Sequence, residues 1–113
     1  SKGPLHCDEN SDTSATIAHR VATARDRASR RWQRAGYEVR TNAAMRSSVL
    51  RRDYPADEVG MTMLESYLGL GKLTQRGVDR TLKLAWTLAD LAGIDRPGLE
   101  QVAVAMDLRE EAE

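Results

Sequence analysis

Two groups of side chains in this chain could bind an anion. Arg76 follows Thr74-Gln75 at the start of an apolar-periodic run, which puts it in the first turn of a helix. A helix N-terminus attracts anions through its free amides and aligned peptide dipoles, and an Arg there adds a permanent charge and a fork that can grip a phosphate. With nothing bound, the same dipole disfavours an Arg at that place, which strengthens a functional reading of Arg76. Arg80 lies one turn later on the same stripe, where it could assist Arg76 or hold a surface ion pair. The second group is Arg20, Arg27, Arg30, Arg31 and Arg34, which fall on one arc of an N-terminal helix. Two readings stand for that arc. It is a solvated face whose Arg stems cover neighbouring apolar surface, or it is a surface for DNA phosphates or the acidic face of an adjoining subunit.

Other chemistry is not supported. Gly69-Leu70-Gly71-Lys72-Leu73-Thr74 superficially resembles a phosphate-binding loop. However, Ser66 stands where the first glycine should be, Leu73 follows Lys72, and a helix rather than a strand precedes it. His6, Cys7 and His19 fit no metal-ligand spacing and there is no second thiol, so no metal site is expected. No paired acids follow an apolar strand, and no nucleophile stands beside a base. The chain alone is expected to hydrolyse no ATP, bind it only weakly and hold no cofactor.

The elements that position these residues follow from periodicity and composition. The chain has 113 residues, enough for one core, with 17 basic and 17 acidic residues. The balance hides an asymmetry, since residues 14–52 carry ten Arg against Asp26 and Glu38, while residues 53–113 carry six basic against twelve acidic residues. Packing of the two halves against each other explains this more simply than a dedicated anionic partner does. One Cys excludes an internal disulfide, no secretory leader is evident, and no apolar run approaches the roughly 20 residues of a membrane span, so a cytoplasmic location is expected. Residues 1–13 are polar and aperiodic and read as a disordered or linker segment, cut from inside a longer protein.

All-α architecture is expected: a small bundle of about four main helices over residues 14–109, followed by an acidic tail at 110–113. The first helix runs from Ser14 to about Ala35, with Ile17, Val21, Ala24, Ala28 and Trp32 on its apolar arc and Gly36 ending it. A brief helix capped by Thr41 or Asn42 carries Met45, Val49 and Leu50. The next begins at Pro55, with Asp57 and Glu58 complementing its positive end, and buries Val59, Met63, Leu64, Tyr67 and Leu68. The central helix has Thr74 as N-cap, Leu73 and Val78 as staple and Gly93 beyond its last turn. Val78, Leu82, Leu84, Ala85, Leu88, Ala89, Leu91 and Ala92 make a wide apolar arc, which implies several packing neighbours. Trp86 sits at the edge of that arc as a packing residue. The polar stripe holds Arg76, Asp79, Arg80, Lys83, Thr87 and Asp90, with Asp79 and Lys83 spaced as an ion pair. Gly77 weakens the helix and could admit a close approach by another body. Asp95 opens the last helix as cap, with Ile94 and Leu99 as its staple and Leu99, Val102, Ala103 and Met106 on its inner face.

The run Thr74 to Gly93, T-Q-R-G-V-D-R-T-L-K-L-A-W-T-L-A-D-L-A-G, followed by Ile94-Asp95-Arg96-Pro97, closely resembles the C-terminal segment of the magnesium-chelatase-like AAA+ ATPases, in the competence-protein (ComM or YifB-like) branch. Upstream the resemblance takes in Arg20-Val21, Ala24-Arg25, Arg30-Arg31-Trp32 and Thr41-Asn42-Ala43; downstream it runs through Val102 to Asp107-Leu108-Arg109. It implies the helical lid of an AAA+ module, following an ATP-binding core of the same chain. It also implies a hexameric ring that uses ATP and Mg in the parent protein, and motor action on DNA. On this resemblance Arg76 occupies the sensor-2 position, contacting nucleotide phosphates of its own or a neighbouring subunit, with Arg80 as a possible assistant. Trp86 departs from the arginine that many members carry. The lid of a true magnesium chelatase ATPase subunit and a free-standing helical DNA-binding module are the alternatives.

Overall fold

Five helices make up the computed structural model, which describes the backbone of residues 4–112 and the side chains of residues 14–109. They are α1 (Pro4–Arg34), α2 (Ser47–Asp53), α3 (Glu58–Gly69), α4 (Gln75–Ala92) and α5 (Leu99–Ala112). No strand occurs among the described residues. The expectations of a disordered segment over residues 1–13 and an acidic tail at 110–113 lie outside the residues with described side chains.

The ends of α4 form as their residue types require. The Thr74 hydroxyl accepts a hydrogen bond from the Gly77 amide at 3.0 Å. At the other end Gly93 takes φ 75°, a left-handed conformation that costs glycine little. That turn lets the Ile94 amide reach back to the Ala89 carbonyl at 3.0 Å, while the Gly93 amide bonds the Ala89 and Asp90 carbonyls and closes the last turn. Between these caps α4 packs against each of the other four helices, and α3 also packs against α5.

The core runs along α4. Val78, Leu82, Ala85 and Trp86 are buried with Trp32 and Ala28 of α1, Val49 and Leu50 of α2, Leu64 of α3, and Val102, Ala105 and Met106 of α5. Trp32, Trp86 and Tyr54 meet edge to face, with Trp32 and Tyr54 ring centroids 4.9 Å apart. This geometry suits the aromatic quadrupole and adds to area burial. The Trp86 indole also donates to the Tyr54 carbonyl at 2.8 Å, so its one polar atom is satisfied inside the core.

Several expected details are corrected. The buried face of α4 is rotated towards Gly77, Thr81, Trp86 and Asp90, leaving Leu84, Leu88 and Leu91 half-buried and Ala92 exposed. Ile17 is exposed, and Val59 is 57% exposed because the inner face of α3 centres on Gly60 and Leu64. Asp57 is the N-cap of α3, its carboxylate accepting from the Gly60 amide at 2.8 Å, so the helix starts after Pro55 rather than on it. Thr41 caps only a turn, bonding the Ala44 amide, and Asn42 is buried. α5 begins at Leu99, later than expected, and Asp95 does not cap it. The buried Pro97 and half-buried Gly98 occupy the entry, where the Gly98 amide donates to the Gln101 side chain at 2.9 Å. Leu99 is exposed.

Candidate functional site

Arg76 lies exposed in the first turn of α4, beside the Thr74 cap and with no acidic residue in that turn. The first turn thus carries no carboxylate of its own to complement the positive end of the helix. Gly77 next to it is buried. A β-carbon there would sit 3.2 Å from a Leu73 methyl, 3.4 Å from the Thr74 hydroxyl and 3.8 Å from the Arg109 guanidinium. The space beside Gly77 is thus filled by this domain's own residues, not left open to another body. It also brings Arg109, at the far end of α5, to the turn that carries Arg76. The closing Asp107-Leu108-Arg109 motif was visible in the sequence, but nothing in its local pattern indicated this approach.

Neighbouring charges are arranged differently from the expectation. Asp79 pairs with Arg51 at 3.2 Å and accepts from Gln75, while Lys83 donates to the Ala43 carbonyl at 3.1 Å, so the expected Asp79–Lys83 pair does not form. Arg80 is exposed one turn beyond Arg76. The Gly69–Lys72 turn is a helix cap rather than a phosphate cradle. Gly71 has φ 75°, the Lys72 amide bonds the Tyr67 carbonyl at 2.9 Å, and the Lys72 ammonium lies 5.9 Å over the Tyr67 ring.

The arginines of α1 divide into three environments. Arg31 turns inward. Its guanidinium forks onto the Asp90 carboxylate, donates to Asn42 at 3.3 Å, and lies 4.4 Å from the Trp86 ring centroid. The Asp90 side chain is 1% exposed and that of Arg31 is 16% exposed. Asn42 completes the cluster. Its carbonyl oxygen accepts from the Trp32 indole at 3.1 Å, and its amide donates to Asp90 at 2.9 Å and Thr87 at 3.2 Å. Arg31 is thereby removed from the expected contact surface, because a buried carboxylate needs its charge. Arg27, Arg30 and Arg34 remain at the lip of a cleft of about 560 Å³, with Arg31 and Tyr54 behind them and Asp95 at its edge. Arg20 is separate, lining a shallow groove with Leu88, Leu91 and Val104. Asp90 lies 14 residues beyond Arg76 on α4, about 21 Å along the axis, so the cleft and the Arg76 turn are distinct places.

A capped central helix, wrapped by four others and presenting an arginine at its open end, defines an all-α domain of the lid type. The chain belongs to the family described as magnesium chelatase, subunit ChlI C-terminal, whose model matches residues 11–109. It is similar to the uncharacterized protein Mb2921c of Mycobacterium bovis, with 42% identity over 99 residues covering 88% of this chain and 19% of that one. The uncharacterized proteins MT2965 and Rv2897c of Mycobacterium tuberculosis match to the same extent. The chain therefore spans about a fifth of the length of these curated relatives. No solved structure matches it.

Proposed function

We propose that this domain is the C-terminal lid of a ComM-like AAA+ ATPase, and that Arg76 is its sensor-2 arginine. One observation carries the reading: an exposed guanidinium in the first turn of a well-capped helix, with no acidic residue in that turn. The free amides, the dipole and the fork all favour a phosphate at that place. ATP and its Mg belong to the parent's core. The lid's contact to the nucleotide is, on this reading, Arg76, with Arg80 one turn behind. In this reading the partners are the core of the same chain and neighbouring subunits of a hexameric ring. The ring is a cytoplasmic motor acting on DNA, with the exposed Arg20, Arg30 and Arg34 and the half-buried Arg27 as candidate contacts to DNA or to a subunit.

The test is Arg76→Ala in the full-length parent. Turnover should fall by roughly 10²-fold, the scale for losing one fixed donor to a developing charge, while ring assembly without nucleotide persists. Arg80→Ala should be milder. If Arg76→Ala instead unfolds the isolated domain, and turnover tracks only the folded fraction, the residue is structural and the reading fails. A second reading, the lid of a true magnesium chelatase subunit, is favoured by the family description itself. The Trp86-Thr87 form of the motif and the Arg-rich first helix support the ComM-like branch. A phosphate-binding loop and an acidic Mg-binding motif within roughly 300 residues upstream in the parent frame would support either lid reading over a free-standing DNA-binding module, at a distance typical of a one- to two-domain core.

A further inference from the structure

The cleft on the C-terminal half of α1 has uncommitted donors, and we propose that it is a binding site for phosphate groups; this deepens the contact reading given above for Arg27, Arg30 and Arg34 and is separate from the role assigned to the Arg76 turn. Arg27, Arg30, Arg31 and Arg34 follow the i, i+3, i+4, i+7 spacing of one helix face and line the cleft together with Tyr54, Ala35 and Asp95. Arg31 is committed to Asp90 and Asn42. The other three are committed weakly. Arg30 holds only the exposed i, i+4 pair with Asp26 at 3.0 Å, a contact of little net strength. Arg27 reaches Asp95 at 3.7 Å and Asp90 at 3.8 Å and donates to the Ile94 carbonyl at 3.2 Å, while its Nε is buried with no hydrogen-bond partner. Arg34 makes no ion pair among the described residues. The Tyr54 hydroxyl makes no hydrogen bond among them either, although the Tyr54 ring is fixed against Trp32 and Trp86.

Three guanidiniums and a phenol around one cleft provide more donors than a single carboxylate can accept. A tetrahedral phosphate presents three or more oxygens and matches several forks at once. Asp95 opposes this as the one carboxylate lining the cleft, but its side chain is fully exposed and its contact to Arg27 is loose, so an incoming anion can displace it. Asp90 is neutralised behind the cleft by Arg31. The arrangement therefore recognises a phosphate ester, whether free or part of a nucleic-acid backbone.

The test titrates the 113-residue chain with inorganic phosphate at constant ionic strength set by chloride, following the Tyr54 ring and Arg side-chain Nε–H resonances by NMR. A saturable shift at Tyr54 and Arg34 is expected. Arg34→Gln should weaken it about tenfold, Tyr54→Phe about threefold and Asp95→Asn should strengthen it about threefold, each from one charge-assisted bond or one repulsion at an open site. Arg76→Ala should leave it unchanged, which separates this site from the sensor reading. A short single-stranded oligonucleotide tells the sources apart. Tighter binding at the same resonances identifies a nucleic-acid backbone, binding of phosphate alone identifies a free ester, and both support the site. Shifts that chloride reproduces, or tighter binding by a polyglutamate peptide with none by phosphate, would overturn it.

Discussion

At the residue scale, Asp90 decides how α1 and α4 meet. As an isolated position it belongs to the polar stripe of an amphipathic helix, and nothing local distinguishes it from Asp79. The difference lies far away in the chain: Arg31 and Asn42 meet Asp90 across the α1–α4 seam and satisfy it. Removing the carboxylate leaves a charged guanidinium and an amide donor in a low-dielectric site. Asp90→Ala should therefore destabilise the domain by about 3–5 kcal/mol in urea denaturation. Replacing the pair together, Arg31→Met with Asp90→Leu, should cost less than Asp90→Ala alone, because neither charge is left buried without its partner. A double variant at least as unstable as the single one would show that the Asn42 bonds, not the ion pair, hold the seam. The same cluster explains why Arg31-Trp32, Asn42, Thr87 and Asp90 all fall within the family-like motifs. Those motif positions join the first helix and its following turn to α4, whereas Arg76 makes no such junction.

At the element scale, both ends of α4 are legible in the sequence, while the facing of α3 and the entry to α5 depend on neighbours that no local pattern shows. Thr74 and Gly93 bound α4 because caps act within four or five residues of themselves, and the Leu82 position follows from period alone. Leu82 is 1% exposed at the meeting of the helices, and Leu82→Ala should cost about 2–5 kcal/mol, visible as a lowered melting temperature. The facing of α3 runs against its composition: Val59 has the character of a core residue yet is exposed, while Gly60, a poor helix former, is buried. In the structure Gly60 is where α3 and α5 approach. A β-carbon there would lie 3.1 Å from a Val102 methyl, 3.2 Å from the Ala56 methyl and 3.2 Å from the Asp57 carboxylate that caps the helix. Helix propensity alone would favour Gly60→Ala by about 1 kcal/mol. Crowding Val102 and the cap at once should outweigh that and give a net loss of about 1–2 kcal/mol in thermal unfolding. A stabilised Gly60→Ala variant would show that α5 can move away freely. The entry to α5 departs from its composition in the same way at Asp95. This residue has the composition of an N-cap, but Pro97 and Gly98 delay the helix and Gln101 satisfies the entry amide.

At the scale of the whole molecule, the basic and acidic halves do meet. Arg31 with Asp90, Arg51 with Asp79 and Arg27 with Asp95 are all pairs between the two segments. This internal pairing accounts for part of the charge asymmetry, and the residue left on α1 lines the cleft. No helix among the described residues is long and apolar enough to cross a membrane. What the sequence could not supply was the spatial grouping of the arginines, since one helical arc contains Arg31 inside the fold, Arg20 over α5, and three others around the cleft. Binding ATP at 1 µM requires about 8 kcal/mol, and 1 mM about 4 kcal/mol. Arg76 and Arg80 act from an exposed helix end, where screening and side-chain ordering leave each contact with little net energy. The glycine-rich turn at Gly69–Lys72 is occupied in ending α3, so its amides cradle no phosphate. The chain alone should therefore show no ATP hydrolysis, and calorimetry should find no saturable ATP binding in the micromolar range. Any residual millimolar binding should vanish with salt and respond to Arg34→Gln rather than Arg76→Ala. Micromolar binding that depends on Arg76 would mean that the domain builds a nucleotide site by itself, and the division of labour between lid and core would then be wrong.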